Sequence, residues 1–266
     1  MVWQSLVNRW RQQREDAALA RRAIPDLLWR RTLKRFPFLP RTAQDGEPEL
    51  RRLTSLFLDS KEFSGARGLV VSDDMAVAIA AQACLPILQL GLQTYGGFVG
   101  IVVHPGQARV RRESTDDDGI VHEYEEVLSG EAMEGGPVML SWRDVRGAGA
   151  SAALGYNVVV HEFAHVLDMA DGLADGVPLL PASIARADWV RCLGDEYAAF
   201  CLRVDAEVPT ALDPYGAESP GEFFAVASEA FFVAPAAMRE EHPALFERFI
   251  RFYRQDPSKR DGGSGA

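Results

Sequence analysis

The residues best able to do chemistry in this chain stand together in "NVVVHEFAHVLDMADG", residues 157–172. On an α-helix, residues four apart share a face, so His161 and His165 project together. Two neutral imidazoles at that spacing suit one Zn²⁺. Glu162, turned by about 100° from His161, can reach a water on the metal rather than the metal itself. His-Glu-x-x-His on a helix is the pattern of hydrolytic zinc sites, with the glutamate as general base. The apolar lead-in at 156–160 and Gly172 after the last turn read as a helix that starts and stops where the motif requires.

A catalytic zinc needs a third protein ligand and one position left open for water. A motif extended by glycine three residues and histidine six residues past the second histidine does not fit, because those positions hold Asp168 and Asp171. Asp171 could serve as an oxygen ligand. Asp168 reads as an acceptor orienting a histidine N–H, or as a helix-end charge. The stronger source is "DPYGAESPGEFFAVASEAFF", residues 213–232. Ser219 can cap a helix with Pro220 in its first turn, which puts Glu222 at a capping-box position. Glu222 and Glu229 are seven apart and lie on nearly one helix face, so spacing does not choose between them. Capping competes as a role for Glu222 and solvation for Glu229. Phe223, Phe224, Phe231 and Phe232 read as core anchors.

Around this centre the chain falls into three stretches. The first 65 residues look helical, with Trp3, Leu6, Val7 and Trp10 at helical spacing, a break at "RFPFLPRT", and a resumed helix in "LRRLTSLFLDSKEF". Next, "GLVVS", "GGFVGIVVHP", "ARVRRES", "GIVHEYEEVL" and "PVMLSW" read as strands, with a helix over 74–90 between the first two. After "RGAGASAALG", helices are expected over 156–170, 184–206, 219–233 and 242–254. The order of helices, strands and helices gives an α+β fold. We expect a basic helical region over 1–65, a catalytic domain over 66–257 and a disordered tail over 258–266.

Composition narrows the function classes. The 266 residues are 47% hydrophobic and 25% charged, as in an ordinary soluble globular protein. Net charge is −10, split between +6 over residues 1–67 and −16 beyond them. An acidic body disfavours direct nucleic-acid binding, and the basic stretch reads as a solvated face. The apolar run 75–92 is interrupted by Gln82, Pro86 and Gln89 and reads as a buried helix, not a membrane span. Cys84, Cys192 and Cys201 stand at no metal-ligand spacing, and with no signal-peptide pattern they suit a reducing cytoplasm.

The HEFAH block and "YGAESPGEFFAVASEAFF", together with "ADGVPLLP", "FYRQDP", "VAIAAQACLPILQLGL" and "VMLSW", resemble the Mlc titration factor A family, a bacterial group of zinc-dependent peptidases. The resemblance covers roughly residues 68 to 257, and only loosely the first 65. It implies a gluzincin with a zincin-like core similar to the protease domain of anthrax lethal factor. It implies that Glu222 is the third zinc ligand beside His161 and His165, and that Tyr215 is an active-site tyrosine. It also implies aminopeptidase-like activity and, from the founding type, binding to a glucose-responsive transcriptional repressor. Pro214 and Gly216 depart from that pattern, where alanine is expected, which bears on how the tyrosine's loop is set.

The expected chemistry is hydrolysis of a peptide or protein substrate. Zinc polarises the scissile carbonyl, Glu162 moves the proton of the attacking water, and Tyr215 hydrogen-bonds the oxyanion. "PVMLSW" is the expected strand for holding the peptide. The alternative is a regulatory protein that sequesters a repressor of sugar-uptake genes, with the zinc site secondary. A purely structural zinc would need a fourth protein ligand, and no cysteine cluster offers one. His104, His122 and His242 read as structural or surface residues.

Overall fold

The structure is a computed structural model that describes residues 2–115, 121–128, 130–133 and 135–260. Three helices open it: α1 (Val2–Arg21), α2 (Asp26–Arg35) and α3 (Glu47–Ser60). Of the expected apolar stripe on α1, the side chains of Trp3, Leu6 and Val7 lie outside the described residues. Trp10 is 60% exposed, with the Arg14 guanidinium 4.6 Å from its ring. The buried contribution of this region comes later, from Ile24, Trp29, Phe36, Leu39, Leu50, Leu53 and Phe57, which join the core of the rest of the chain.

After α3 the backbone extends into β1 (Glu62–Gly65) rather than continuing as helix. Arg67 and Gly68 then take positive φ and turn the chain back on itself, so that the Leu69 carbonyl presses on Gly65. This turn leaves "GLVVS" as a loop instead of the expected strand. Ser72 caps α4 (Asp73–Cys84) by accepting from the Met75 N–H at 3.4 Å. The helix ends at Cys84, short of residue 90: Pro86 has no N–H to offer the Gln82 carbonyl, which accepts from the Leu85 N–H at 3.2 Å instead.

The strands follow: β2 (Gly100–His104), β3 (Ala108–Thr115), β4 (Val121–Leu128), β5 (Gly130–Ala132) and β6 (Val138–Ser141). One sheet has the order β1-β2-β6-β5. β1, β2 and β6 run parallel, with Phe63 opposite Ile101 and Ile101 opposite Val138. β5 runs antiparallel to β6, with Gly130 opposite Leu140. β3 and β4 form a separate antiparallel pair. Mixed pairing plus many helices makes the fold α+β.

Then come α5 (Trp142–Ser151), α6 (Val158–Asp168), α7 (Arg186–Asp205), α8 (Pro220–Val233), α9 (Pro235–Glu241) and α10 (Pro243–Tyr253). The sequence reading missed α5, α9 and β5. Pro235 and Pro243 each start a helix, where a missing N–H is harmless. Aromatic rings fill much of the core. Phe57, Tyr95 and Phe98 surround Phe163 of α6 at 5.0–5.8 Å. In a second group Trp189 stacks on Phe249 at 5.8 Å, and Phe224 meets both Phe249 and Phe252.

The expected tail is ordered at its start. Pro257–Lys259 forms a 3-10 turn. Arg260 donates to Gln255 Oε1 at 2.6 Å and to the Phe38 carbonyl at 3.4 Å, which ties it back to the body. Residues 261–266 lie outside the described residues.

Candidate metal centre

The site is built on α6, and its first turn is fixed by one buried asparagine. Asn157 Oδ1 accepts from the Val160 N–H at 3.0 Å, which caps the helix. Its Nδ2 donates to Gln82 Oε1 of α4 at 3.0 Å, and its backbone N–H donates to Glu229 Oε2 of α8. Three helices are thereby locked together one turn before His161. Ser219 caps α8 through the Glu222 N–H at 3.1 Å. The Glu222 carboxylate does not complete a capping box but turns to the histidines.

Three donor atoms converge. His161 Nε2 and His165 Nε2 are 3.2 Å apart, and Glu222 Oε2 is 3.1 Å from the first and 3.3 Å from the second. Tetrahedral zinc with ligands at about 2.0–2.1 Å requires donors separated by about 3.3 Å. Among the described residues this is the one set of three able to hold a metal ion. Glu229, which spacing could not distinguish from Glu222, is not a solvated charge. It is 1% exposed, and its Oε1 accepts from His161 Nδ1–H at 2.7 Å. That bond fixes the tautomer and turns the Nε2 lone pair toward the other donors.

The electrostatics suit a cation. Burial disfavours charge on His161, but Glu229 and hydrogen bonds with Glu222 and Glu229 outweigh it and raise the His161 pKa well above the ordinary value. Burial likewise opposes charge on Glu222, yet hydrogen bonds from both histidines hold its carboxyl at about 2. Burial raises Glu229 despite its bonds to His161 and Asn157. A divalent cation at the focus of the donors would answer the same negative charge that otherwise draws a proton onto His161.

Glu162 is 5% exposed, and burial pushes its pKa up to about 8. It lies against β5: a Cβ added to Gly130 would sit 2.3 Å from Glu162 Oε1 and 2.6 Å from its Cγ and Cδ. β5, which pairs with no strand but β6 among the described residues, is the edge strand beside the site. β6 pairs on both sides, so "PVMLSW" has no free edge to offer a peptide. The three-residue β5 was missed because "GEA" carries no strand signal.

Tyr215 stands in the 3-10 turn Pro214–Ala217, capped by Asp213 Oδ1 accepting from the Tyr215 N–H at 3.0 Å. Its ring centroid is 6.2 Å from that of His161, and the residue is 39% exposed. Pro214 fits the first position of this turn. A Cβ on Gly216 would meet Phe200, Phe223 and Val226 at an ordinary 3.4–3.5 Å, so the glycine does not reset the loop. Asp168 is fully buried, but its Oδ2 accepts from the Gly176 N–H at 2.9 Å, which anchors the following loop and gives no histidine hydrogen bond. Asp171 is exposed and accepts from the Leu173 N–H, outside the donor set. His242 is buried against Glu196, His104 ends β2, and the side chain of His122 lies outside the described residues.

A family model described as glucose-regulated metallo-peptidase M90 matches residues 7–254. The chain belongs to that family. It is 37% identical over 238 residues to Mlc titration factor A of Salmonella arizonae, covering 88% of this chain and 93% of that one. It is 36% identical over 243 residues to Mlc titration factor A of Klebsiella pneumoniae, covering 90% of each. An uncharacterized protein of Synechocystis is 33% identical over 250 residues, covering 93% of this chain and 90% of its own. Membership in a metallopeptidase family implies a metal ion, and the donor set of His161, His165 and Glu222 fits one in number, type and spacing.

Proposed function

We propose that this metallopeptidase is a zinc-dependent aminopeptidase-like enzyme in which His161, His165 and Glu222 hold the zinc and Glu162 is the general base. The observation that carries the reading is the triangle of donors, 3.1–3.3 Å on each side, with a buried carboxylate one residue from the first donor. When bound, the zinc polarises the scissile carbonyl and lowers the pKa of water toward neutrality.

The chain's own groups do the rest. Glu162 accepts the proton of the attacking water and delivers it to the leaving amine. Burial raises its pKa, which helps the carboxyl hold that proton between the two transfers, while the charge of a zinc ion beside it would draw the value back down so that it starts as the base. Glu229 keeps His161 in one tautomer and orientation. Tyr215 hydrogen-bonds the developing oxyanion. The side of β5 away from β6 pairs with the substrate backbone. The three free cysteines suit a cytoplasmic setting, and among the described residues no helix is long and apolar enough to cross a membrane.

The test is cleavage of aminoacyl chromogens and blocked peptides by zinc-loaded protein beside Glu162→Gln. Wild type should cleave, and the variant should lose nearly all activity while keeping its zinc. Equal activity in both removes Glu162 from the role of base.

A second reading takes its support from the name of the relatives, Mlc titration factor A: binding of a repressor protein, with catalysis secondary. Deleting residues 1–65 is not a clean test of it, because Phe57 packs on Phe163 of α6 at 5.7 Å and its loss would disturb the site. Charge reversal at exposed Arg9 and Arg14 leaves that core intact. Retained activity with lost repressor binding would locate the partner on α1.

A further inference from the structure

Beyond the donors, α6 and β5 both run on into a cavity of about 670 Å³. Its apolar wall is Phe98, Met133, Val166, Met169 and Leu179. Met169 is one helical turn past His165, so the face that carries the two histidines continues into the cavity. Met133 directly follows β5, so the edge strand ends there as well. Met133 and Leu179 are 42% and 64% exposed, so the rim of the cavity presents apolar surface that a ligand side chain can cover. Asp171 is the one charged group among the described lining residues.

We infer that this cavity is the subsite for a large apolar side chain on the N-terminal side of the scissile bond. The inference rests on the peptidase reading above. β5 passes Glu162 at Gly130 and reaches the cavity at Met133. A peptide pairing antiparallel to it, the more stable mode, enters at the cavity and leaves past Glu162. The residues that enter the cavity therefore precede the bond at the donors. The volume lies within the usual range for ligand pockets and exceeds what alanine fills. The Asp171 carboxylate repels acidic side chains at the same position.

Two substitutions alter the cavity without touching the donors. Leu179→Arg puts a charge on its exposed rim. Gly97→Leu fills it from a lining position where an added Cβ meets nothing within 4 Å and φ is not positive. With zinc-loaded protein, kcat/KM is measured for peptides that vary at the residue before the cleaved bond. Kd of the same peptides is measured on zinc-loaded Glu162→Gln, with and without each cavity substitution.

Wild type should prefer Leu or Phe over Gly by about tenfold or more, as expected for filling an apolar pocket, and should reject Asp. Both substitutions should collapse the Leu-to-Gly ratio toward one, in kcat/KM and in Kd. Cleavage with no such preference, or with a preference unchanged by both variants, overturns the subsite and leaves the peptidase reading standing. If nothing is cleaved but Kd shows the preference and its loss, the cavity binds as inferred and the catalytic reading fails instead. Absence of both cleavage and peptide binding overturns the subsite.

Discussion

Gly130→Ala tests how tightly the proposed base is held. Gly130 has no positive φ, so alanine suits its backbone, and among the described residues the three atoms nearest the new methyl all belong to Glu162. The new methyl would lie 2.3 Å from Oε1 and 2.6 Å from Cγ and Cδ, where ordinary contact begins near 3.4 Å. Glu162 must therefore retreat by about 1 Å, and because Cγ is involved, rotating the carboxylate alone does not relieve the clash. Misplacement of a catalytic group by about 1 Å costs on the order of 10²-fold in rate. Overpacking a buried site costs about 1–3 kcal/mol of stability, which a folded protein tolerates. The assay is kcat/KM for Gly130→Ala, Glu162→Gln and the double variant, with zinc content and thermal midpoint recorded for each. A methyl that acts through Glu162 should cost little further when added to Glu162→Gln. Activity of Gly130→Ala within about threefold of wild type, or losses that multiply in the double variant, would refute the reasoning.

Glu229→Gln should weaken zinc binding about 10- to 100-fold by loosening His161, read by competition with a chelator. Asn157→Ala removes the α6 cap and unties α4, so stability should fall by roughly 1–2 kcal/mol or more in urea unfolding. Lys61 is buried, donates to the Tyr95 and Phe98 carbonyls, and has its pKa lowered to about 8 by burial. Its folded pKa lies below the unfolded value of 10.5, so the unfolded chain binds the extra proton between the two. Lys61 by itself contributes a rise in stability from pH about 8 to 10.5. Above pH 9 it is opposed by buried Cys84, whose thiol burial keeps protonated in the fold, so the slope is read as the difference between wild type and a Lys61 variant. Lys61→Met should abolish that rise and, by orphaning two carbonyls, lower stability by about 1–3 kcal/mol at pH 7.

What the sequence made legible was local. The HEFAH helix, its apolar lead-in and the Ser219-Pro220 start of α8 each carry their signal within a few residues. What stayed hidden depended on contacts between distant segments. "GLVVS" has strand composition but no strand to pair with, whereas "EFSG" pairs because β2 lies beside it. β5 exists only through β6. α5 holds two glycines in ten residues, which lowers its helix propensity, and its start depends on the Ser141 cap. The chain from residue 258 read as tail because only the fold shows that Arg260 reaches Phe38.

The two glutamates of α8 show why spacing alone could not assign them. Seven residues place Glu222 and Glu229 about 10 Å apart along the helix, on nearly one face. α8 crosses α6 so that the His161 ring lies between them. Glu222 reaches Nε2 at 3.1 Å and Glu229 reaches Nδ1 at 2.7 Å. Both carboxylates therefore belong to one imidazole, from opposite sides, and neither is incidental. What separates them is His165, whose Nε2 lies 3.3 Å from Glu222. The second histidine decides which carboxylate completes the donor triangle and which one orients its first member.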